Sequence, residues 1–114
     1  MKNLMKVIVF AFICLLLPVN VHAAEVLQVR HSSLLQIGDQ NRNYTVRIAC
    51  IDIDEDQSDE ALSWLKLNLA RKTRVNLRPL SSNNGVLIAR VIPLGSEIDI
   101  STQMIEQGLG QSSC

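Results

Sequence analysis

The feature that most constrains this chain is the apolar run Val7–Leu17 near its N-terminus. Lys2 and Lys6 precede the run, Pro18 ends it, and Val21-His22-Ala23 offers small side chains to a signal peptidase. This pattern is typical of an export signal, and we expect cleavage after Ala23. Eleven residues of helix rise only about 16 Å, against about 30 Å of membrane hydrocarbon, so a stable membrane anchor is not expected.

Removal of a signal over residues 1–23 leaves 91 of the 114 residues. A chain of this length forms one small domain, residues 24–114, that can bury a hydrophobic core. We therefore expect a single exported domain, periplasmic or secreted and monomeric.

The composition of the exported part limits its partners. Nine Lys and Arg stand against eleven Asp and Glu, a formal charge of −2, and both phenylalanines leave with the signal. One Tyr and one Trp remain, Tyr44 and Trp64. Proteins that bind nucleic acid tightly need positive charge to neutralise phosphates and aromatic side chains on which bases stack. This composition therefore disfavours tight general binding and leaves open weak binding of a single strand.

Apolar runs, alternation and β-branched residues predict five short strands. They are Glu25–His31, Leu34–Ile37, Tyr44–Ile51, Thr73–Arg78 and Val86–Ile92, and the third and fourth alternate. In the third strand, Val46, Ile48 and Cys50 are expected on one face. Pro79 is expected to end the fourth strand because proline cannot donate to a ladder.

Two helices complete the pattern. Ser58 is expected to cap a helix that runs to about Arg71, and Ser101 to cap a short one that ends before Gly108. The first helix has a broad predicted apolar face, formed by Ala61, Leu62, Leu65, Leu67, Leu69 and Ala70. The predicted order is β-β-β-α-β-β-α, a mainly β, α+β domain. Because a flat sheet of this size would expose its edges, we expect the strands to close into a barrel.

Two cysteines, Cys50 and Cys114, remain after the predicted cleavage. In an oxidising compartment an even number favours a disulfide. The alternative is a buried thiol at Cys50 and an exposed one at the C-terminus.

Several segments, in this order and spacing, resemble the staphylococcal nuclease (thermonuclease-like) family. They are Thr45–Asp52 (TVRIACID), Glu60-Ala61, Asn84-Gly85 before Leu87–Val91 (LIARV), and Ile105–Leu109 (IEQGL). The resemblance covers about Val29 to Leu109 and implies a five-stranded OB-fold barrel with two helices.

The resemblance also implies calcium-dependent hydrolysis of phosphodiester bonds in DNA or RNA. Arg47 matches the first phosphate-binding arginine, Asp52 a metal-binding aspartate, and Glu55 the glutamate near the attacking water. Ile53 would offer calcium only its backbone carbonyl. Hard cations prefer such oxygen ligands, and guanidinium groups stabilise charge that develops on phosphoryl oxygens.

Three positions depart from the family pattern. Ser33 stands where the family has another metal-binding aspartate, Val86 where it has a second arginine, and Cys114 where it has a base-stacking tyrosine. Two interpretations therefore remain open: an exported nuclease with a partly degenerate site, or a catalytically inactive OB-fold module with a binding or structural role.

Alternative roles remain open for the site residues too. One alternative for Arg47 is a structural pairing with Asp52 or Glu55, and one for the acidic run from Asp52 to Glu60 is a solvated loop and helix N-terminus. The resemblance also implies that the chain after the last helix returns beside the third strand. That path would bring Cys114 to Cys50.

Overall fold

The structure is a computed structural model that describes residues 23–114. The predicted signal peptide, residues 1–23, lies outside this part except for its last residue, Ala23, and stays a prediction. Among the described residues, no helix has the length and apolar character needed to cross a bilayer.

Five strands form a closed barrel in the order β1-β2-β3-β6-β5. They are β1 (Ala24–His31), β2 (Leu34–Asp39), β3 (Arg42–Ile48), β5 (Arg74–Asn83) and β6 (Val86–Pro93). Neighbouring strands are antiparallel except β3 and β6, which run parallel. The helices are α1 (Ser58–Asn68) and α2 (Ile100–Glu106), and a small second sheet pairs β4 (Ile51–Asp52) with β7 (Gln111–Ser112). The predicted α+β, OB-type barrel with two helices is confirmed.

The third predicted strand is interrupted. Val46 and Ile48 point into the core as predicted, and β3 then ends at Ile48 rather than Ile51. Ala49 is also buried, and Cys50 has a φ of 69° in the left-handed region. The prediction that Cys50 continues the Val46 face is therefore wrong, because this turn redirects the chain into β4.

Helix α1 is shorter than predicted, and one of its faces differs. It begins with Ser58 inside the helix, after a 3-10 turn over Glu55–Gln57, so Gln57 rather than Ser58 is the cap. The helix ends at Asn68. Ala61, Leu65 and Leu69 are buried, whereas Leu67 is 82% exposed and Ala70 is also exposed. Residues four apart share a helix face. Leu67, two residues from Leu65, therefore faces solvent.

Strand β5 continues through Pro79 as far as Asn83, with a register irregularity between Pro79 and Ser81. The prediction that Pro79 ends the strand is therefore wrong. Beyond Val75 only β6 pairs with β5 among the described residues. A strand edge of this kind tolerates a missing N–H.

A two-residue turn joins β5 to β6. Asn83 pairs with Val86, and the two residues between them, Asn84 and Gly85, have positive φ values of 52° and 78°. Positive φ at both positions defines the type I′ turn that suits the twist of a hairpin, and Asn-Gly is its preferred sequence.

Asp99, not Ser101, is the cap residue of α2, and Ser101 is buried inside the helix. The Ser101 and Thr102 hydroxyls donate hydrogen bonds to the Asp99 carboxylate, which also forms a salt bridge of 3.2 Å with Arg90. The predicted stop at Gly108 is confirmed. Gly108 has a φ of 74°, its N–H donates to the Ile105 carbonyl, and the Leu109 N–H donates to the Met104 carbonyl.

The core is aliphatic. Its largest fully buried side chains are Leu35, Ile37, Leu65, Leu69, Ile100 and Met104, and the aromatic side chains of Tyr44 and Trp64 only pack against its border. Strands and both helices contribute to this one cluster. It therefore joins barrel and helices into a single unit.

Candidate functional site

Arg47 lies on the outer surface of the barrel. In the ladder of β3 it pairs with Leu34 of β2 on one side and with Ile88 of β6 on the other. Its neighbours Val46 and Ile48 are buried, so the alternation of the strand leaves Arg47 exposed. Within residues 23–114, the Arg90–Asp99 pair is the sole salt bridge. The proposed structural pairing of Arg47 with Asp52 or Glu55 is therefore not formed.

Ser33 lies in the turn between β1 and β2, beside the end of β3. Its carbonyl accepts a hydrogen bond of 2.8 Å from the Ile48 N–H. The hydroxyl of the preceding residue, Ser32, lies 3.3 Å from the Ser58 hydroxyl at the start of α1. The turn therefore meets both the end of the Arg47 strand and the helix that follows the acidic loop.

The acidic loop begins in the small sheet. Asp52 is exposed in β4 and pairs with Gln111 of β7, while the half-buried Ile53 side chain packs against the core. Glu55 is exposed at the start of the 3-10 turn. The same turn is tied to the end of α2 because the Gln57 side chain donates to the Gly108 carbonyl at 2.8 Å.

The C-terminal segment, residues 110–114, packs against the start of this loop. The predicted bridge between Cys50 and Cys114 is present, with their Cα atoms 4.9 Å apart, and the Ser113 N–H donates to the Cys50 carbonyl. A Cβ atom added to Gly110 would lie 2.7 Å from the Asp52 backbone oxygen. Only glycine permits this close approach of β7 to β4.

Val86 begins β6, opposite Thr45 of β3 and two residues before Ile88. It therefore lies on the strand next to the Arg47 strand. Its half-buried side chain carries no group that could bind phosphate. Of the two positions at which the resembled family has an arginine, only position 47 carries a guanidinium in this chain.

The donors for a cation are few. Among the residues that the structure describes, no three His, Cys, Asp or Glu side chains form a group that could hold a metal ion. Calcium usually takes six to eight oxygen ligands. Asp52 would supply a carboxylate and Ile53 a carbonyl, so the residues fit calcium only if water and substrate oxygens provide most of the coordination.

The structure also places polar groups together that the sequence patterns did not reveal. On the outer face of the first three strands, the Gln36 side chain joins Arg30, Asn43 and Thr45 by hydrogen bonds. This polar ladder continues the surface on which Arg47 lies. Cross-strand register brings these residues together, and register does not show in any one strand.

A groove of about 770 Å³ lies elsewhere, with Tyr44, Asp39 and Glu97 among its lining residues. None of the site residues implied by the resemblance lines it. The pKa of Tyr44 is raised by burial and by the nearby Asp39 carboxylate. The sequence pattern did not predict this groove; it showed only that Tyr44 is the one tyrosine of the chain.

Neither a protein-family model nor a curated protein matches the chain. The thermonuclease resemblance therefore depends only on the order and spacing of its own segments.

Proposed function

We propose that this domain is an exported, monomeric, thermonuclease-like OB-fold protein with a weakened calcium-dependent activity on phosphodiester bonds of single-stranded DNA or RNA. The observation that carries the proposal is Arg47, an exposed arginine without a salt bridge to any described residue. It lies on the barrel surface beside the turn that contains Ser33. The outer face of strands 2 and 3 is the surface on which OB-folds bind oligonucleotides.

Each proposed role follows from the chemistry of the side chain. The Arg47 guanidinium would donate hydrogen bonds to phosphoryl oxygens as negative charge develops on them. Glu55 would accept a proton from the attacking water. Asp52 and the Ile53 carbonyl would hold calcium, which when bound stabilises charge on the phosphate. With serine at position 33 and valine at 86, one carboxylate and one guanidinium are missing, so slow hydrolysis is expected.

The test uses purified protein spanning residues 24–114 with labelled single-stranded DNA and RNA, in calcium and in a calcium chelator. We expect slow cleavage that requires calcium and is lost in Glu55→Gln. The matched control is Glu106→Gln, an exposed glutamate at the end of α2. Cleavage that persists in the chelator or in Glu55→Gln would contradict the assigned roles.

Arg47→Gln separates a phosphate role from a structural one. Because Arg47 is exposed and lacks a salt bridge, we expect the free energy of unfolding to change by less than about 0.5 kcal/mol. Affinity for single-stranded nucleic acid should fall, along with the dependence of binding on salt. A marked loss of stability with unchanged binding would assign Arg47 to the fold instead.

A catalytically inactive OB-fold module is the second candidate. It is favoured by the lack of a group of three His, Cys, Asp or Glu side chains among residues 23–114 and by valine at position 86, on the strand next to the Arg47 strand. An inert wild-type protein in the cleavage assay would support it. If Ser33→Asp combined with Val86→Arg then produced calcium-dependent cleavage, the module would be a decayed nuclease.

Export is part of the proposal. The Cys50–Cys114 bridge is compatible with an oxidising compartment. Expression of the full chain followed by N-terminal sequencing of the exported fraction tests it. The expected first residue is Ala24, and an uncleaved protein retained inside the cell would exclude it.

A further inference from the structure

A groove lined by Tyr44 lies apart from the proposed phosphate site. Its volume is about 770 Å³, within the usual range for ligand clefts of roughly 300–1,000 Å³. Its lining includes the start of β1 at Ala24, the end of β2 at Asp39 and the loop residue Glu97 after β6.

One wall of this groove is the edge of β5. Five successive residues, Val75–Pro79, line it. Side chains of successive strand residues point to opposite faces, so a groove that touches all five runs along the edge of the strand. The groove therefore meets the backbone of β5 as well as its side chains.

This edge has unpaired backbone groups. β1 pairs with β5 only through Ala24 with Val75 and Glu25 with Arg74. From Asn76 onward, β6 is the only strand among residues 23–114 that pairs with β5. In an antiparallel ladder alternate residues bond to one neighbour, so the remaining C=O groups of Asn76–Asn83 and their N–H groups, except at Pro79, point to the open side. Such an edge is a template for a further strand.

The other walls combine apolar and acidic side chains. Leu77, Leu87 and Ile92 are half-buried and provide apolar surface, next to the half-buried ring of Tyr44. Asp39 and Glu97 form no salt bridge with any described residue. Their two negative charges exceed the single positive charge of Arg78, which also lines the groove.

We propose that this groove binds an extended peptide segment of a partner protein, which adds a strand to the β5 edge and places a basic side chain between Tyr44, Asp39 and Glu97. Backbone hydrogen bonds to the edge supply affinity, and the pocket selects the side chain. A cation beside the Tyr44 ring gains a favourable contact with its face. The acidic walls disfavour nucleic acid at this site, so it is separate from the Arg47 surface.

The test uses residues 24–114 labelled with 15N and two synthetic peptides, Thr-Val-Thr-Lys-Thr-Val-Thr and its Lys→Glu counterpart, both with blocked ends. We expect amide shifts at Asn76–Asn83 and Tyr44 with the lysine peptide, and affinity at least tenfold weaker for the glutamate peptide. N-methylation of alternate peptide bonds should abolish binding, since it removes backbone donors and leaves the side chains.

Asp39→Asn combined with Glu97→Gln should weaken the lysine peptide at least tenfold and leave the glutamate peptide unchanged or improved. The matched control, Glu60→Gln on the exposed side of α1, should not change either affinity. Equal binding of both peptides, shifts confined to other strands, or retention of binding after N-methylation would overturn the proposal. Amide shifts at β5 that appear with protein concentration alone, or with an oligonucleotide, would also overturn it by identifying a second copy or nucleic acid as the occupant.

Discussion

Two junctions complete the barrel, and they differ in length and in what they expose. At the β3–β6 junction, Thr45–Ile48 pair in parallel with Val86–Ala89, and the Ala49 N–H extends the contact by donating to the Ala89 carbonyl. At the β1–β5 junction, only Ala24 and Glu25 pair with Val75 and Arg74. The long junction presents side chains on a continuous surface, whereas the short one leaves a strand edge and a groove.

The difference teaches that one barrel can carry two kinds of surface. Arg47 at the β3–β6 junction is positioned by strands on both sides, which suits the phosphate contact proposed for it. The β1–β5 junction offers backbone groups to a partner that brings its own strand. Free energies of unfolding of variants at each junction test whether the two junctions differ in stability as well as in chemistry.

The largest expected effect concerns the bridge that follows the β3–β6 junction. Replacing Cys50 and Cys114 together by serine opens a loop whose ends are 64 residues apart. The chain-entropy relation predicts a loss of about 4 kcal/mol for a loop of this length. Urea unfolding of the variant and of the oxidised protein measures the loss. A reducing agent should destabilise only the protein that has both cysteines, and a difference below about 1 kcal/mol would contradict the prediction.

A matched pair of core substitutions compares the junctions directly. Val46 in β3 and Val75 in β5 are both fully buried. Removing two methyl groups costs about 1.6 kcal/mol in transfer free energy, to which a sealed cavity adds a further cost. We expect Val46→Ala to exceed about 2 kcal/mol, since Val46 is enclosed between β2 and β6. Val75→Ala should stay near about 1.6 kcal/mol, because Val75 borders the open groove.

Urea unfolding measures both valine variants. Leu67→Ala serves as a control, with an expected change within about 0.5 kcal/mol because Leu67 is 82% exposed. Equal losses for Val46→Ala and Val75→Ala would show that the two junctions are packed equally well.

The smallest effect concerns the salt bridge between Arg90 of β6, the strand between β3 and β5, and Asp99, the cap residue of α2. Burial opposes ionisation of Asp99, but hydrogen bonds from Ser101 and Thr102 and the Arg90 guanidinium outweigh it and hold the pKa of Asp99 below its ordinary value. Asp99→Ala should cost about 1–2 kcal/mol at neutral pH, since it leaves the buried Ser101 hydroxyl without its acceptor.

The pH dependence of this contribution has a definite sign. A lowered carboxyl pKa stabilises the fold above the pKa of the unfolded chain, about 3.9, and this contribution is lost as the pH falls through that value towards the folded pKa. Unfolding measured from pH 7 to pH 2 should therefore show a smaller difference between wild type and Asp99→Ala at the acid end. A difference that grows on acidification would contradict the assigned charge state.

Much of the fold was predictable because the interior repeats a simple pattern. Short apolar runs and alternation of apolar with polar residues identified all five barrel strands. The predictions that were wrong concern positions where tertiary contacts override the local sequence preference. Pro79 stays within β5 because that edge has no second neighbour, and Cys50 leaves the β3 pattern because the chain must turn into β4.

The candidate site was predictable only as a set of residue types. The family resemblance singled out Arg47, Asp52 and Glu55, but whether Arg47 forms a salt bridge depends on side chains that meet only in the folded barrel. The groove at Tyr44 escaped prediction for the same reason. Its walls come from strands far apart in the chain, and no contiguous segment contains its pattern.

Local sequence decides which segments are strands and helices, since alternation, helical spacing and turn residues act over a few positions. It also decides the chemical limits of the site, because no arrangement of the backbone can give Ser33 a carboxylate or Val86 a guanidinium. The tertiary structure alone decides the strand order, the unequal junctions and the pairing of Asp99 with Arg90. Those features depend on which faces can be buried together, a property of the whole core rather than of any one segment.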